Sequence, residues 1–374
     1  MRRQTGGGTA EYGERVTTPR RLFLHVGCPK TGTTFLQDTL WASRDRLATR
    51  GLLLPLRHFQ DHFFVTLAVR EQLDPKLDSP EAHNVLDRLS SELSQSTSPR
   101  VVVSHELLAP ATAEQAARLR ARLSDFEMHV ILTVRNLQRQ IPAAWQQQIQ
   151  QRGVVTYDRF CAAVVDDDRE AAYFWDRQDP VAVAERWRGD LPPNRVHIVT
   201  VPPPGADPEL LLQRFCRILD IEPADLSRAS SRPNESLGLP QAELLRRVNV
   251  ALGDRLPHPR AGHSRIAKAY FARQVLAPQG CRRPVLPPDL ADWCHDTSKR
   301  IVDGLAGAGY DIVGELTDLL PSATIDPIDL TVTDRELVEA AVEALAAVLD
   351  QRYRDVQRIG SLRARLRAAT PGST

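Results

Sequence analysis

Lysine is scarce in this 374-residue chain: Lys30, Lys76, Lys268 and Lys299 are the only four among 48 cationic residues. A GC-rich genome explains that scarcity more simply than function does, but it makes a lysine inside a glycine loop stand out. Charge of one sign is not in excess. The balance of 48 Lys+Arg against 47 Asp+Glu excludes a long nucleic-acid or anionic-membrane surface and leaves room for a local basic cleft. No run approaches the roughly 18 apolar residues of a membrane helix. Residues 1–20 lack the apolar core of a signal peptide. Cysteine is sparse and odd in number: Cys28, Cys161, Cys216, Cys281 and Cys294 form no C-x-x-C pair. A disulfide framework is excluded, Cys294 beside His295 lacks zinc spacing, and a reducing, cytoplasmic setting with free thiols is expected. Asn234 opens an N-E-S triplet, a chance match to a glycosylation acceptor in such a setting. No internal repeat is present.

What the sequence does contain is an alternation of β-branched runs and helical stretches. "RLFLHVG" at Arg21, "RVVVSHE" at Arg100, "MHVILTVR" at Met128 and "RVHIVTV" at Arg195 read as strands, and "GLLLPL" at Gly51 as a short strand or extended segment. Helices are predicted over Thr33–Ala48, His58–Arg70, Glu81–Leu93, from Thr112 (with the capping-box partner Gln115), through the glutamine-rich stretch to Gly153, and over Pro208–Leu219. Pro142 must begin or kink its helix. This alternation predicts an α/β fold whose parallel sheet is covered on both faces. Beyond Leu239 the pattern is mainly helical. The expected organisation is a flexible tail over 1–20, one domain over 21–325 and a helical C-terminal extension over 326–374. In that extension Val338, Val342, Leu345, Leu349, Tyr353 and Val356 make an apolar stripe that must be covered, by the chain's own domain or by a second copy.

The stretch "HVGCPKTGTTFL", His25 to Leu36, sits between a strand and a helix. Gly27 and Gly32 have the spacing of a phosphate-binding loop, yet Thr33 follows the second glycine and the lysine, Lys30, lies inside the loop. A loop lysine is ordinarily a solvated charge. Here it is flanked by backbone amides at a helix start, an arrangement that holds phosphate or sulfate. His105 ends one strand and Arg135 another, and ligands bind beyond the carboxyl ends of parallel strands, so Lys30, His105 and Arg135 can share one cleft. The alternatives are a structural ion-pair partner for Arg135 and a satisfied sheet-end histidine for His105. A kinase-type loop needs a Ser/Thr for magnesium and an aspartate at a neighbouring strand end. These strand ends offer Ser-His-Glu and Arg-Asn instead, so a donor that needs no metal fits better.

At these residues the sequence resembles the sulfotransferases that use 3′-phosphoadenosine 5′-phosphosulfate (PAPS). "PKTGTTF" is similar to their 5′-phosphosulfate loop, "VILTVRN" to their 3′-phosphate segment and "VVVSHELLAP" to the strand end bearing a catalytic histidine. "RPNESLGLPQAELLRRVN" and "GYDIVGELTDLLP" resemble a bacterial, actinomycete-type branch. The resemblance implies a P-loop-type, sulfotransferase-like fold. It also implies metal-free transfer of a sulfuryl group from PAPS to a hydroxyl or amine on a small-molecule, glycan or lipid acceptor. Lys30 would stabilise charge on the leaving phosphate. Thr31, Gly32, Thr33 and Thr34 would cradle the 5′-phosphate through backbone and hydroxyls. Phe35 would lie near the adenine, Arg135 would bind the 3′-phosphate, and His105 would be the base, with Glu106 orienting it or taking its place. Neighbouring strand residues point to opposite faces, so both enter the cleft only if the chain turns there.

Two departures stand out. Ala143 occupies the place of the family's serine, with Gln146 or Arg139 as substitutes, and the late Arg-Lys-Gly segment is missing, with Arg265, Lys268, Arg282 and Arg283 as unranked replacements. His58, Phe59, His62, Phe63 and Phe64 either line the acceptor pocket or form a core helix. The alternatives are a degenerate binding protein on the same fold and a magnesium-dependent P-loop kinase.

Overall fold

The computed structural model describes residues 19–171, 173–227, 236–256, 258–280, 282–322 and 329–369. The expected flexible tail up to residue 18, Asn234, Cys281 and the 325/326 boundary lie outside the described residues.

Six parallel strands form one sheet in the order β2-β3-β1-β4-β5-β6: β1 Arg21–His25, β2 Leu52–Leu53, β3 Arg100–Ser104, β4 Glu127–Val134, β5 Val196–Thr200 and β6 Asp311–Val313. The helices used below are α1 Thr33–Ala42, α2 Phe59–Val69, α3 Val85–Gln95, α4 Ala113–Arg122, α5 Leu137–Gln150, α6 Pro180–Arg188, α7 Leu210–Leu219, α8 Leu239–Leu252, the helical segment α9 His258–Leu276, α10 Ala291–Gly307 and α11 Asp334–Ala369. The strands are apolar on both faces because helices cover both. The pleat sends Leu22, Leu24, Val101, Val103 and Val130 into one core, and Phe23, Val102 and Ile131 into the other with Leu36 of α1 and Phe215 of α7. A third core joins α5 to α8 and α10 through Ile141, Trp145, Leu245 and Cys294.

Several boundaries differ from the sequence reading. The first predicted helix stops at Ala42 and a separate turn follows over Arg44–Thr49; Ser43 between them donates its hydroxyl to Thr39 O. The helix expected over Glu81–Leu93 is likewise divided, at Asn84. The Thr112–Gln115 capping box forms in both directions. Pro142 neither starts nor ends α5, which runs through it from an Asn136 cap. The region after Leu239 is mainly helical, as expected, with a strand that the pattern did not show. Asp311–Val313 returns to the sheet beside β5, a strand too short to announce itself by periodicity.

Of the two covers expected for the terminal stripe, the chain's own domain does not supply one. Leu337, Ala340 and Ala344 are the residues of α11 that bury against the body, on α8 and α9. The predicted stripe points the other way: Val342 is 63 % and Leu345 60 % exposed. Small alanines allow close helix approach, so the body took the alanine face and left the larger apolar one outward.

Candidate functional site

The chain leaves β1 at the centre of the sheet, with β3 on one side and β4 on the other, and the crevice at that switch lies beyond three strand ends. The loop stays pinned to β4, because Val26 N–H donates to Ile131 O and Cys28 N–H to Thr133 O, each at 2.9 Å. Gly27, Lys30 and Gly32 all have positive φ, which folds the loop back on itself and directs the first amides of α1 into the crevice. Gly32 caps α1 without a side-chain bond, so those amides remain available to an anion. Gly27 must be glycine for space as well, since a Cβ there would meet Glu106 Cβ at 3.0 Å.

A buried polar chain supports the loop from below. The Thr31 hydroxyl donates to Cys28 O (2.5 Å) and lies 2.6 Å from Thr133 Oγ1. Thr133 therefore donates to Thr31 and accepts from His25 Nε2–H at 3.2 Å, and Ser104 donates to His25 Nδ1 at 2.8 Å. That order fixes the His25 tautomer. Burial lowers the His25 pKa to about 4, so the ring is a neutral peg joining β1, β3 and β4. Sequence reasoning passed over His25, Ser104 and Thr133. Their only signal was polarity inside otherwise apolar strands.

The same chain corrects one expected role: the Thr31 hydroxyl faces the interior, leaving only its backbone to a ligand. Thr33 is buried beside Gly27, Thr34 is exposed at the first turn of α1, and Phe35 is half-buried against the core of α1 and α7.

Lys30 reaches solvent through the open crevice while protein flanks it closely, and this lowers its pKa to about 8. Desolvation is the largest cause, followed by the positive charges of Arg135, Lys268 and Arg273, with Glu106 opposing. Arg135 donates through Nε to Gln140 Oε1 and through Nη2 to Arg139 O, each at 2.9 Å. No carboxylate pairs with it among the described residues, and burial with Arg139 nearby brings its pKa to about 9. Gln140 also donates to Pro29 O (2.5 Å), which ties the arginine's support to the loop. Lys268 and Arg273, on α9, complete the cluster. Lys268 was one of four unranked replacements and Arg273 was not singled out, since nothing distinguishes it among so many arginines. Arg282 serves elsewhere, clamping Glu336 of α11. Of the substitutes for the missing serine, Gln146 is turned away to Leu237 O (2.7 Å), Arg139 stands beside Arg135, and Ala143 is half-buried on α5.

The chain does turn after β3. Glu106 opens a single turn over Glu106–Leu108, so His105 and Glu106 lie on the same side, with Nδ1 and Oε2 3.8 Å apart. His105 Nδ1 accepts from Leu107 N–H at 3.2 Å, and its pKa is lowered by burial. Glu106 is held ionised, its pKa lowered by His105 and by a 3.1 Å bond from Gln37 Nε2 despite its burial. The aromatic stretch divides. Phe63 packs against the His105 ring, whereas His62 is a core histidine bonded to Pro55 O and Ser104 N–H.

A cavity of about 280 Å³ adjoins Pro29, walled by Gln147, Gln148, Phe174, Arg177 and Gln178. Arg177 Nε and Gln148 Oε1, atoms of two of these wall residues, are closed to solvent and have no hydrogen-bond partner among the described residues.

Two solved structures are similar in general arrangement. A sulfotransferase from Alicyclobacillus acidocaldarius is 13% identical, with a TM-score of 0.44 over 79% of this chain and 98% of that one. A sulfotransferase domain from the curacin biosynthetic pathway is 15% identical, with a TM-score of 0.29 over 68% and 98%. Likeness at this level assigns no residue a role. No protein-family model and no curated protein matches the chain.

Proposed function

We propose that this chain transfers a sulfuryl group from PAPS to an acceptor hydroxyl or amine. The observation that carries the reading is the cation cluster: Lys30 lies in a glycine loop at a helix N-terminus, near enough to Arg135, Lys268 and Arg273 for their charges to lower its pKa, while Glu106 opposes them. Mutual repulsion and desolvation make that arrangement costly without an anion of several charges, and a nucleotide carrying phosphates at two ends fits it. PAPS, when bound, supplies the activated sulfuryl group. The loop amides and Lys30 hold the 5′ end and stabilise charge that develops on the leaving phosphate, and Arg135, fixed by Gln140, holds the 3′-phosphate. Against the magnesium-dependent kinase reading stands Thr31, whose hydroxyl is spent inside the protein and does not face a metal position.

For the acceptor proton, the observation favours Glu106 over the expected His105. With Nδ1 accepting from Leu107, a neutral His105 carries its proton on Nε2 and has no free lone pair. Glu106 is ionised, with Oε2 oriented by Gln37. His105 then donates and positions while Glu106 removes the proton. The acceptor is assigned to the cavity beside Pro29, whose wall includes Arg177, and that positive charge favours a hydroxylated molecule bearing an anionic group. Incubation with labelled PAPS and a panel of hydroxylated acids, phenols and amines tests the reading. Label transfer that survives EDTA supports it. Binding of PAPS with no transfer to any acceptor favours the degenerate binding protein.

A further inference from the structure

The 36 residues of α11 span about 54 Å at 1.5 Å per residue. Its first half packs on the body through Leu337, Ala340, Ala344 and the half-buried Val348, and beyond it Asp355 lies near Tyr270. From Arg352 to Arg365 almost every residue is exposed on all sides of the helix, including Tyr353, Val356, Ile359 and Leu362. Gly360 lies in that half, with nothing within 4 Å of its missing side chain. A glycine costs an exposed helix about 1 kcal/mol, and a helix this poorly packed is marginal alone in water.

The apolar stripe runs unbroken from the packed half into the projecting one. Its spacing nearly mirrors itself about residue 352: Val342, Leu345 and Leu349 read forward oppose Leu362, Ile359 and Val356 read backward. Charge is divided about the same point. Residues 334–350 hold five acidic side chains and Arg335, a net of −4; residues 351–366 hold five arginines and Asp355, a net of +4. A parallel pair would stack like on like, and an antiparallel pair sets each acidic half against a basic one.

We propose that α11 is a self-association element, in which the occupant of the stripe is the same stripe of a second copy of this chain, antiparallel about a two-fold axis near Arg352. A two-fold interface is isologous, which is what a mirrored seam supplies. This pairing is independent of the sulfuryl-transfer reading.

Sedimentation velocity of the full chain at tens of micromolar is expected to give twice the chain mass. Leu345→Asp with Leu349→Asp, both at exposed positions, is expected to give monomer with the same cooperative melting of the body. Reversing two basic positions (Arg354→Glu, Arg358→Glu) should weaken pairing at least about tenfold, and adding charge reversals at the acidic positions they face across the axis (Asp350→Arg, Glu343→Arg) should restore it. In a Cys281→Ser background, where the four remaining cysteines are buried, Tyr353→Cys should crosslink across the axis and Val342→Cys should not. A monomeric wild type, a dimer indifferent to Leu345→Asp/Leu349→Asp, or ready crosslinking of Val342→Cys would each overturn the proposal.

Discussion

Lys30 and Glu106 carry opposite charges across one loop, and the account asks different things of each. Lys30 must be protonated to hold an anion, and its pKa of about 8 places the loss of that charge just above neutrality. The sign follows directly: kcat/KM for PAPS should be full below pH 8 and fall as pH rises through it, because the free protein's lysine is being deprotonated. Lys30→Ala should abolish transfer and leave the melting temperature nearly unchanged, since an exposed loop lysine supports no core. Glu106→Gln should lower kcat by about 10²–10⁴-fold with PAPS binding intact, and His105→Ala should lower it less. The reverse ranking in steady-state kinetics would return the base to His105. Lys30, His105 and Arg135 were legible in the sequence because strand ends of a parallel sheet share one edge. The tautomer of His105 was not, because it depends on where the Leu107 amide points. Nor was the inward turn of Thr31, whose partner Thr133 is 102 residues away.

At the scale of elements, the loop works because β4, α1 and α5 hold it from three directions. Gly27 has φ +63° and leaves no room beside Glu106. Gly27→Ala should cost about 1–2 kcal/mol from backbone strain alone and displace the Glu106 carboxylate, and thermal melting and kcat should fall together. Ala143→Ser should tighten binding of 3′,5′-diphosphoadenosine (PAP) if the hydroxyl is missing from the 3′-phosphate site, and leave it unchanged if Arg139 already supplies the contact. Five strand segments were readable because short apolar runs, most of them containing Val or Ile, alternate with longer helical patterns. Asp311–Val313 was not, being three residues long in a helical neighbourhood. Which face of α11 the chain's own body covers was not legible either: the alanines allowed the closer approach, and the larger apolar stripe was left outward.

For the whole molecule, Pro29 belongs both to the glycine loop at the sheet's centre and to the wall of a cavity that Arg177 and Gln148 also line. If that cavity receives the acceptor, Arg177→Ala should raise the acceptor's KM and leave that of PAPS unchanged. The donor site is the claim on which the rest stands, and calorimetric titration with PAP tests it most directly. The account predicts one-to-one binding that persists in EDTA, weakens as pH is raised through about 8, and is lost in Lys30→Ala and Arg135→Ala. A chain that ignores PAP and binds ATP only with magnesium would contradict it.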